Sequence, residues 1–363
     1  MKKIIILGST GSIGMQTLDV IKAHPDEFEV VGLSAHNNVD LFKRQVEEFQ
    51  PKYAVLAGKE SEKELMELAR AKDADLVVNA ISGYAGLMPT YAACEAKKTL
   101  ALANKESLVM AGELIMETAR KAGAKILPID SEPSAIWQAL GGGDLPCAAE
   151  KNADREIEKI TLTASGGPFW GRSREELQNV TQAQALNHPT WKMGKRISVD
   201  SATLMNKGFE IIETHWLFDV PAEKLDISIH RQSAVHSFVQ FVDGNIVAIL
   251  GATDMRVPIS YALFYPKRIK NSLPRLAFSN LSLTFKTPDF SLFKGPELAY
   301  RALEEGGIMA AALCMADEIA VNKFLIGEIA FLEIYDFIGD TLRRVKNEKL
   351  SLNAIKNLRD IIK

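Results

Sequence analysis

Apolar and polar positions divide the chain into stretches of different period. From residue 1 to about 128, β-branched runs alternate with amphipathic segments. Lys2 to Leu7, Glu29 to Ser34, Tyr53 to Leu56, Asp75 to Ala80, Thr99 to Ala103 and Lys125 to Ile129 are the apolar runs, a pattern that predicts parallel strands buried on both faces. Met15 to Ala23, Val39 to Phe49, Glu62 to Ala71 and Leu108 to Ala122 carry their apolar residues at helical spacing. Strand and helix alternating in this way predict an α/β fold with a Rossmann-like doubly wound parallel sheet.

Beyond Pro128 the pattern changes. Residues 157–164, 195–200, 225–231, 234–242 and 245–251 read as strands, and Asp243-Gly244 between the last two is a hairpin turn signal. Helical patterns at Glu132 to Leu140 and Ser201 to Leu217 flank them, so a central α+β catalytic domain is expected over 129–264. Within it, residues 165–195 combine glycine, proline, histidine and two tryptophans with little periodicity, and read as a flexible functional loop. Residues 265–292, with Pro266, Pro274 and Pro288, read as a linker. From 293 to 363 helical spacing resumes around Gly306-Gly307 and Gly339, which predicts a small C-terminal helical bundle.

Composition narrows the class. The 363 residues carry 43 basic and 46 acidic side chains, a net charge of -3, so no nucleic-acid or membrane-surface partner is implied. Cys94, Cys147 and Cys314 form no CxxC pair, which argues against a disulfide framework and for the cytoplasm. The amino-terminal apolar run Ile4 to Leu7 stops at a glycine and is too short for a secretion signal. The longest apolar stretches elsewhere fall short of the roughly 20 residues that span a bilayer.

The first strand runs into Gly8-Ser9-Thr10-Gly11-Ser12-Ile13-Gly14 and then a helix. Such a turn lets backbone N–H groups and the helix dipole approach a pyrophosphate, and at a strand-to-helix junction it reads as a dinucleotide site. The second strand ends Ser34-Ala35-His36-Asn37-Asn38 without an acid to hold a ribose 2′-hydroxyl, which favours NADPH over NADH. His36 is the available donor to a 2′-phosphate; solvation of the ring is the alternative.

At the end of strand Lys125 to Ile129 stand Asp130-Ser131-Glu132. Residues two apart in extended backbone point the same way, and two close carboxylates suit a hard cation such as Mg²⁺ or Mn²⁺. The competing reading makes Asp130 the cap of the helix that follows, near Pro133. Further on, Ser201 to Glu210 brings hydroxyl, amide and ammonium groups that suit a phosphate, with Glu210 a possible third metal ligand or an ion-pair partner of Lys207. Ser165-Gly166-Gly167 can offer N–H and hydroxyl groups to the same anion. Trp170 and Trp191 either close over a substrate or anchor their own loop.

Together, Gly8 to Gly14, Leu102-Ala103-Asn104-Lys105-Glu106-Ser107, Leu127 to Glu132, Ser165 to Phe169, His188 to Gly194 and Ser201 to Glu210 resemble the 1-deoxy-D-xylulose 5-phosphate reductoisomerases, in order and along essentially the whole chain. The resemblance implies a homodimeric, NADPH- and metal-dependent enzyme. Its reaction would convert 1-deoxy-D-xylulose 5-phosphate to 2-C-methyl-D-erythritol 4-phosphate in the non-mevalonate isoprenoid pathway. It implies Asp130, Glu132 and Glu210 as metal ligands and, with Lys105, as the catalytic set. Lys105, Ser131, Glu132, Ser165, His188, Ser201, Asn206 and Lys207 match substrate-contacting positions, and Trp191, read as closing over the substrate, is expected to join them. Thr10, Gly11, Ser12, Ile13, Ala35, His36, Asn37, Asn38, Asn104, Glu106 and Gly194 match cofactor-binding positions. The chain departs from the family pattern in having His36-Asn37 where Gly-Lys is common, and Pro133 where a histidine usually follows the Asp-Ser-Glu triplet.

Two other classes compete. A semialdehyde dehydrogenase would need one of the three cysteines as an activated nucleophile. A dinucleotide-sensing regulator would not need the carboxylates, and the chain shows no basic recognition helix.

Overall fold

Ile4 to Leu7 are fully buried, as an inner strand covered on both faces requires. They belong to β1 (Lys2–Leu7), the third strand of a six-stranded sheet whose others are β2 (Phe28–Ala35), β3 (Tyr53–Leu56), β4 (Leu76–Asn79), β5 (Thr99–Leu102) and β6 (Lys125–Pro128). The order is β3-β2-β1-β4-β5-β6, with every neighbouring pair parallel. The computed structural model describes residues 1–58, 61–143, 145, 156–191, 193–273, 275–279 and 281–362.

The strand register positions the loops. Leu7 pairs with Ser34 and Asn79, Asn79 with Leu102, and Leu102 with Pro128. The carboxyl ends therefore finish level. The segments that follow, Gly8 to Gly14, Ala35 to Asn38, Ala103 to Glu106 and Ile129 to Glu132, leave one edge of the sheet, where open α/β sheets place their ligands. Helices α1 (Ser12–Lys22), α2 (Val39–Phe49), α3 (Glu62–Ala69), α4 (Leu87–Glu95), α5 (Lys105–Ala122) and α6 (Ser131–Ala139) supply the crossovers and the element after β6.

The chain forms two compact units. The first is Met1–Ser107 with Glu113–Asn152 and Asp254–Pro274; the second is Leu108–Gly112 with Ala153–Thr253 and Arg275–Lys363. The sequence boundary at 128/129 falls inside the first unit, because β6 leads directly into α6. The carboxy-terminal helices Gly295–Glu305, Met309–Leu325, Glu333–Arg344 and Leu352–Ile362 belong to the same unit as the second sheet.

That second sheet joins β7 (Ile157–Ala164), β8 (Leu225–Ile229), β9 (Val235–Phe241) and β10 (Ile246–Leu250) in the order β10-β9-β7-β8. β7 and β8 are parallel, and β9 is antiparallel to its neighbours β7 and β10. Leu225, Ile227, Ile229, Val235 and Val239 alternate toward the buried face. Helix Met205–Phe218 approaches helix Gly295–Glu305 closely enough that a Cβ on Gly208 would meet the Gly295 carbonyl oxygen at 2.9 Å.

Three local expectations are corrected. Residues 195–200 are not a strand but part of a helix, Lys195–Ala202. The alternation of Ile197 and Val199 is too short to separate the two periods. Arg196 instead reaches Asp200 one turn on, together with Asp317 and Glu318. Ser201 does not start the next helix; it lies in the last turn of this one, and Leu204 at φ +56° breaks the chain direction before Met205–Phe218. Loop 165–195 contains helices Arg174–Leu177 and Gln182–Leu186, each opened by a capping box, Ser173 with Glu176 and Thr181 with Gln184. Both boxes are readable as sequence. No helix among the described residues is long and apolar enough to cross a membrane.

Candidate active site

In the first unit the glycine turn is built on backbone contacts. Gly8, at φ +83°, donates its N–H to the Ser34 carbonyl at 3.0 Å, and Ser9 does so at 2.8 Å. A Cβ on Gly8 would sit 2.7 Å from Ala80 O, and one on Gly14 only 2.3 Å from Gly8 O. Both positions require glycine for close approach. Gly11 is the N-cap of α1 and provides no side-chain acceptor. Gly11 and Ser12 are exposed, and Thr10 and Ile13 half-buried, so the N–H groups at the start of α1 are open to an anion.

Sequence reasoning missed the residue that holds this turn. Gln45, buried on α2, accepts the Ser9 hydroxyl at 2.7 Å and donates to the Ser9 carbonyl at 3.0 Å. No local pattern marks it, because its partner lies 36 positions away.

Ala35 is buried, while His36, Asn37 and Asn38 are exposed beyond the end of β2. The Asn38 side chain accepts the Leu41 N–H at 3.2 Å and so caps α2. Asn104 and Glu106 act differently from exposed cofactor contacts. Asn104 is buried and donates to Ile81 O, Gly83 O and a Glu106 carboxylate oxygen, and it accepts the Ser107 N–H. Glu106 also accepts the Gly83 N–H at 2.9 Å. The two side chains therefore fix the turn after β4.

Lys105, Asp130, Ser131 and Glu132 come together. Lys105 and Asp130 form an ion pair that is largely withdrawn from solvent. Asp130 is also the N-cap of α6, accepting the Ser131 N–H at 3.0 Å, so the capping role expected for it is present. Pro133 follows in the first turn rather than at its first position. The Ser131 hydroxyl donates to Glu132 at 2.5 Å.

In the second unit, His188 gathers the residues expected around a phosphate. Its Nε2 lies 2.9 Å from Ser165 Oγ and 3.1 Å from Ser201 Oγ. Its Nδ1 accepts the N–H groups of Trp191 at 2.9 Å and Thr190 at 3.2 Å. That assigns the proton to Nε2, with the ring a donor toward the two serines. Burial, then the positive charges of Arg231 and Lys207, pull its pKa down to about 4. Ser165 Oγ also accepts the Gly167 N–H at 3.2 Å. Gly167, at φ +64°, leaves no room for a Cβ, which would sit 2.6 Å from Ser201 O.

Asn206, Lys207 and Glu210 form a neighbouring set on helix Met205–Phe218. Glu210 is buried, accepts from Asn206 at 2.5 Å and pairs with Lys207. The Trp191 ring is half-buried, with its centroid 6.3 Å from that of His236. Gly194 is exposed and opens helix Lys195–Ala202. Phe169, fully buried edge-on against Phe331 at 4.9 Å, anchors the start of the loop. Arg231, whose Nη1 donates to the carbonyl oxygens of Ser165 and Gly167, is a second residue of this set that sequence reasoning missed.

A cysteine nucleophile finds no support among the described residues. Cys94 and Cys314 are buried, and burial pushes the Cys94 thiol up to about 12, the opposite of activation. Cys147 lies outside the described residues.

An all-parallel sheet in this strand order, with an open glycine turn at its first helix, places the chain among dinucleotide-dependent oxidoreductases. The comparisons narrow the class. The sequence profile described as 1-deoxy-D-xylulose 5-phosphate reductoisomerase matches residues 4–69 and 58–112, the C-terminal domain of that enzyme 126–218, and a further DXP reductoisomerase C-terminal domain 250–363. The chain belongs to the 1-deoxy-D-xylulose 5-phosphate reductoisomerase family.

Its relatives include the reductoisomerase of Thermoanaerobacter pseudethanolicus, 48% identical over 96% of this chain and 93% of that protein. That of Caldanaerobacter subterraneus is 49% identical over the same shares. A solved reductoisomerase in complex with NADPH, fosmidomycin and magnesium superposes with a TM-score of 0.92 at 39% identity, covering 100% of this chain and 97% of the other. The Zymomonas mobilis enzyme in complex with NADPH gives 0.90 at 37% identity, over 99% and 97%.

Proposed function

We infer that this chain converts 1-deoxy-D-xylulose 5-phosphate to 2-C-methyl-D-erythritol 4-phosphate, a step of non-mevalonate isoprenoid synthesis, using NADPH and a divalent metal. The observation that carries this reading is the full-length similarity at 48% identity. Thr10, Gly11, Ser12 and Ile13 of the open turn would hold the NADPH pyrophosphate, and Ala35, His36, Asn37 and Asn38 at the end of β2 would hold its ribose. The absence of an acid there and the exposed His36 ring suit a 2′-phosphate. Asn104 and Glu106 serve the cofactor by fixing the turn after β4, and Gly194 completes the set.

Asp130, Glu132 and Glu210 are the proposed metal ligands. Their hard carboxylate oxygens fit Mg²⁺ or Mn²⁺, and each is already restrained: Asp130 by Lys105 and the Ser131 N–H, Glu132 by the Ser131 hydroxyl, Glu210 by Asn206 and Lys207. The bound ion supplies Lewis acidity toward the substrate's ketone and hydroxyl oxygens. Lys105 holds or moves a proton at a substrate hydroxyl, and Ser131 and Glu132 orient the sugar.

Ser165, His188, Ser201, Asn206 and Lys207 hold the phosphate, providing remote binding energy that places the reacting carbons. The neutral His188 donates through Nε2, which suits a phosphate oxygen. Trp191, tied through its backbone to His188, covers the substrate and excludes water.

The same reading makes the enzyme a cytoplasmic homodimer. Buried free thiols at Cys94 and Cys314 suit a reducing compartment. Val242, Ile246 and Val247 on and beside β9 and β10, with Phe285, are exposed apolar residues of the kind that subunit association covers. Product analysis tests the reaction: one 2-C-methyl-D-erythritol 4-phosphate should form per NADPH oxidised, and reduction to any other product would refute it. Light scattering tests the dimer, and a monomer mass would reject it.

A further inference from the structure

A phosphate dianion taken out of water needs cations facing it, because neutral donors recover only part of its lost hydration. In the second unit, the Ser165, Ser201 and His188 set is neutral. Lys207, the cation expected there from sequence, is paired with Glu210. Arg231, just beyond β8, is held differently. Its Nη1 donates to the carbonyl oxygens of Ser165 at 2.6 Å and Gly167 at 2.7 Å.

Among the described residues no carboxylate pairs with this guanidinium, and its Nε and Nη2 donate to no protein acceptor. Burial acts on it with no acid in opposition, and its charge reaches the His188 ring. Peptide planarity adds a second effect. With the Ser165 carbonyl turned toward Arg231, the Gly166 N–H points away from it, so the cation fixes which way the turn presents its donors.

We propose that Arg231 is a further substrate-recognition residue, whose guanidinium supplies uncompensated positive charge to the substrate phosphate while its carbonyl contacts hold the Ser165–Gly167 turn. The proposal deepens the reading given above, since it rests on a phosphorylated substrate bound at Ser165, His188 and Ser201.

The test uses the NADPH- and Mg²⁺-loaded enzyme with Arg231→Gln and Arg231→Lys. Inorganic phosphate is titrated by calorimetry, and KM and kcat are measured for 1-deoxy-D-xylulose 5-phosphate. R231Q should weaken phosphate binding and raise KM by about 10- to 100-fold, the scale of one charge-assisted hydrogen bond, with kcat changed far less. R231K should recover most of the phosphate affinity. Unchanged phosphate affinity in R231Q overturns the proposal. So does a loss confined to kcat, or an R231K enzyme as weak toward phosphate as R231Q, which would leave Arg231 only its hold on the turn. Should R231Q not fold, R231K decides: retained phosphate affinity supports the proposal, and its loss overturns it. If the wild type oxidises no NADPH with this substrate, the reaction assignment fails, while the phosphate titration still decides the role of Arg231.

Discussion

His188 Nε2 lies 2.9 Å from Ser165 Oγ, and the ring that makes this contact is held neutral, with its pKa drawn down to about 4 by burial and by Arg231 and Lys207. In the unfolded chain the ring titrates near its ordinary 6.5. The unfolded state therefore binds the proton first as pH falls, and the stability tied to the neutral ring is complete above about 6.5 and lost toward about 4. His188→Gln removes this dependence. Urea melts should show wild type losing stability relative to H188Q between pH 6.5 and 4, and an unchanging difference would count against the neutral ring.

Gly14 and Gly11 should separate in their tolerance of a methyl group. A Cβ on Gly14 would press on backbone at 2.3 Å, whereas on Gly11 the nearest atom is 3.4 Å away. Gly14→Ala should cost about 1–3 kcal/mol and weaken NADPH binding, and Gly11→Ala much less. Thermal melts and NADPH titration check this; equal effects would mean that the turn is not set by backbone approach.

Gln45→Leu should act on the cofactor from beneath the turn. It strips Ser9 of its reciprocal side-chain pair in a buried site, at a cost of about 1–3 kcal/mol. NADPH affinity should fall while metal affinity stays. Wild-type NADPH affinity in Q45L would show that the turn does not depend on this anchor.

Glu210→Gln tests the third carboxylate. Loss of a ligand should reduce Mg²⁺ affinity by more than the about 10- to 100-fold expected from losing a group that only orients one. Calorimetric Mg²⁺ titration reads this directly, and unchanged affinity would leave Glu210 as the partner of Lys207 alone.

The first sheet was legible because its signal is local. Ile4 to Leu7 is a continuous apolar run, and the strands from β1 to β6 lie within a residue or two of the positions expected from their β-branched residues. The helix at 195–202 was not, since Ile197 and Val199 fit either period and Arg196 is settled by Asp317 and Glu318, more than 100 residues on. The site divides in the same way. Asp130 to Glu132 and Asn206 to Glu210 are contiguous motifs, and resemblance marked Ser165, His188 and Ser201, which the fold joins by hydrogen bonds. Gln45 and Arg231 carry no motif, because each matters through a backbone carbonyl far away in sequence.

The most direct test of the reaction follows nicotinamide absorbance when 1-deoxy-D-xylulose 5-phosphate is added to the purified protein with Mg²⁺, with EDTA, and with NADH in place of NADPH. The expected result is NADPH oxidation that requires both substrate and Mg²⁺ and is much slower with NADH. Folded, Mg²⁺-supplied protein that leaves NADPH unoxidised would contradict the assignment.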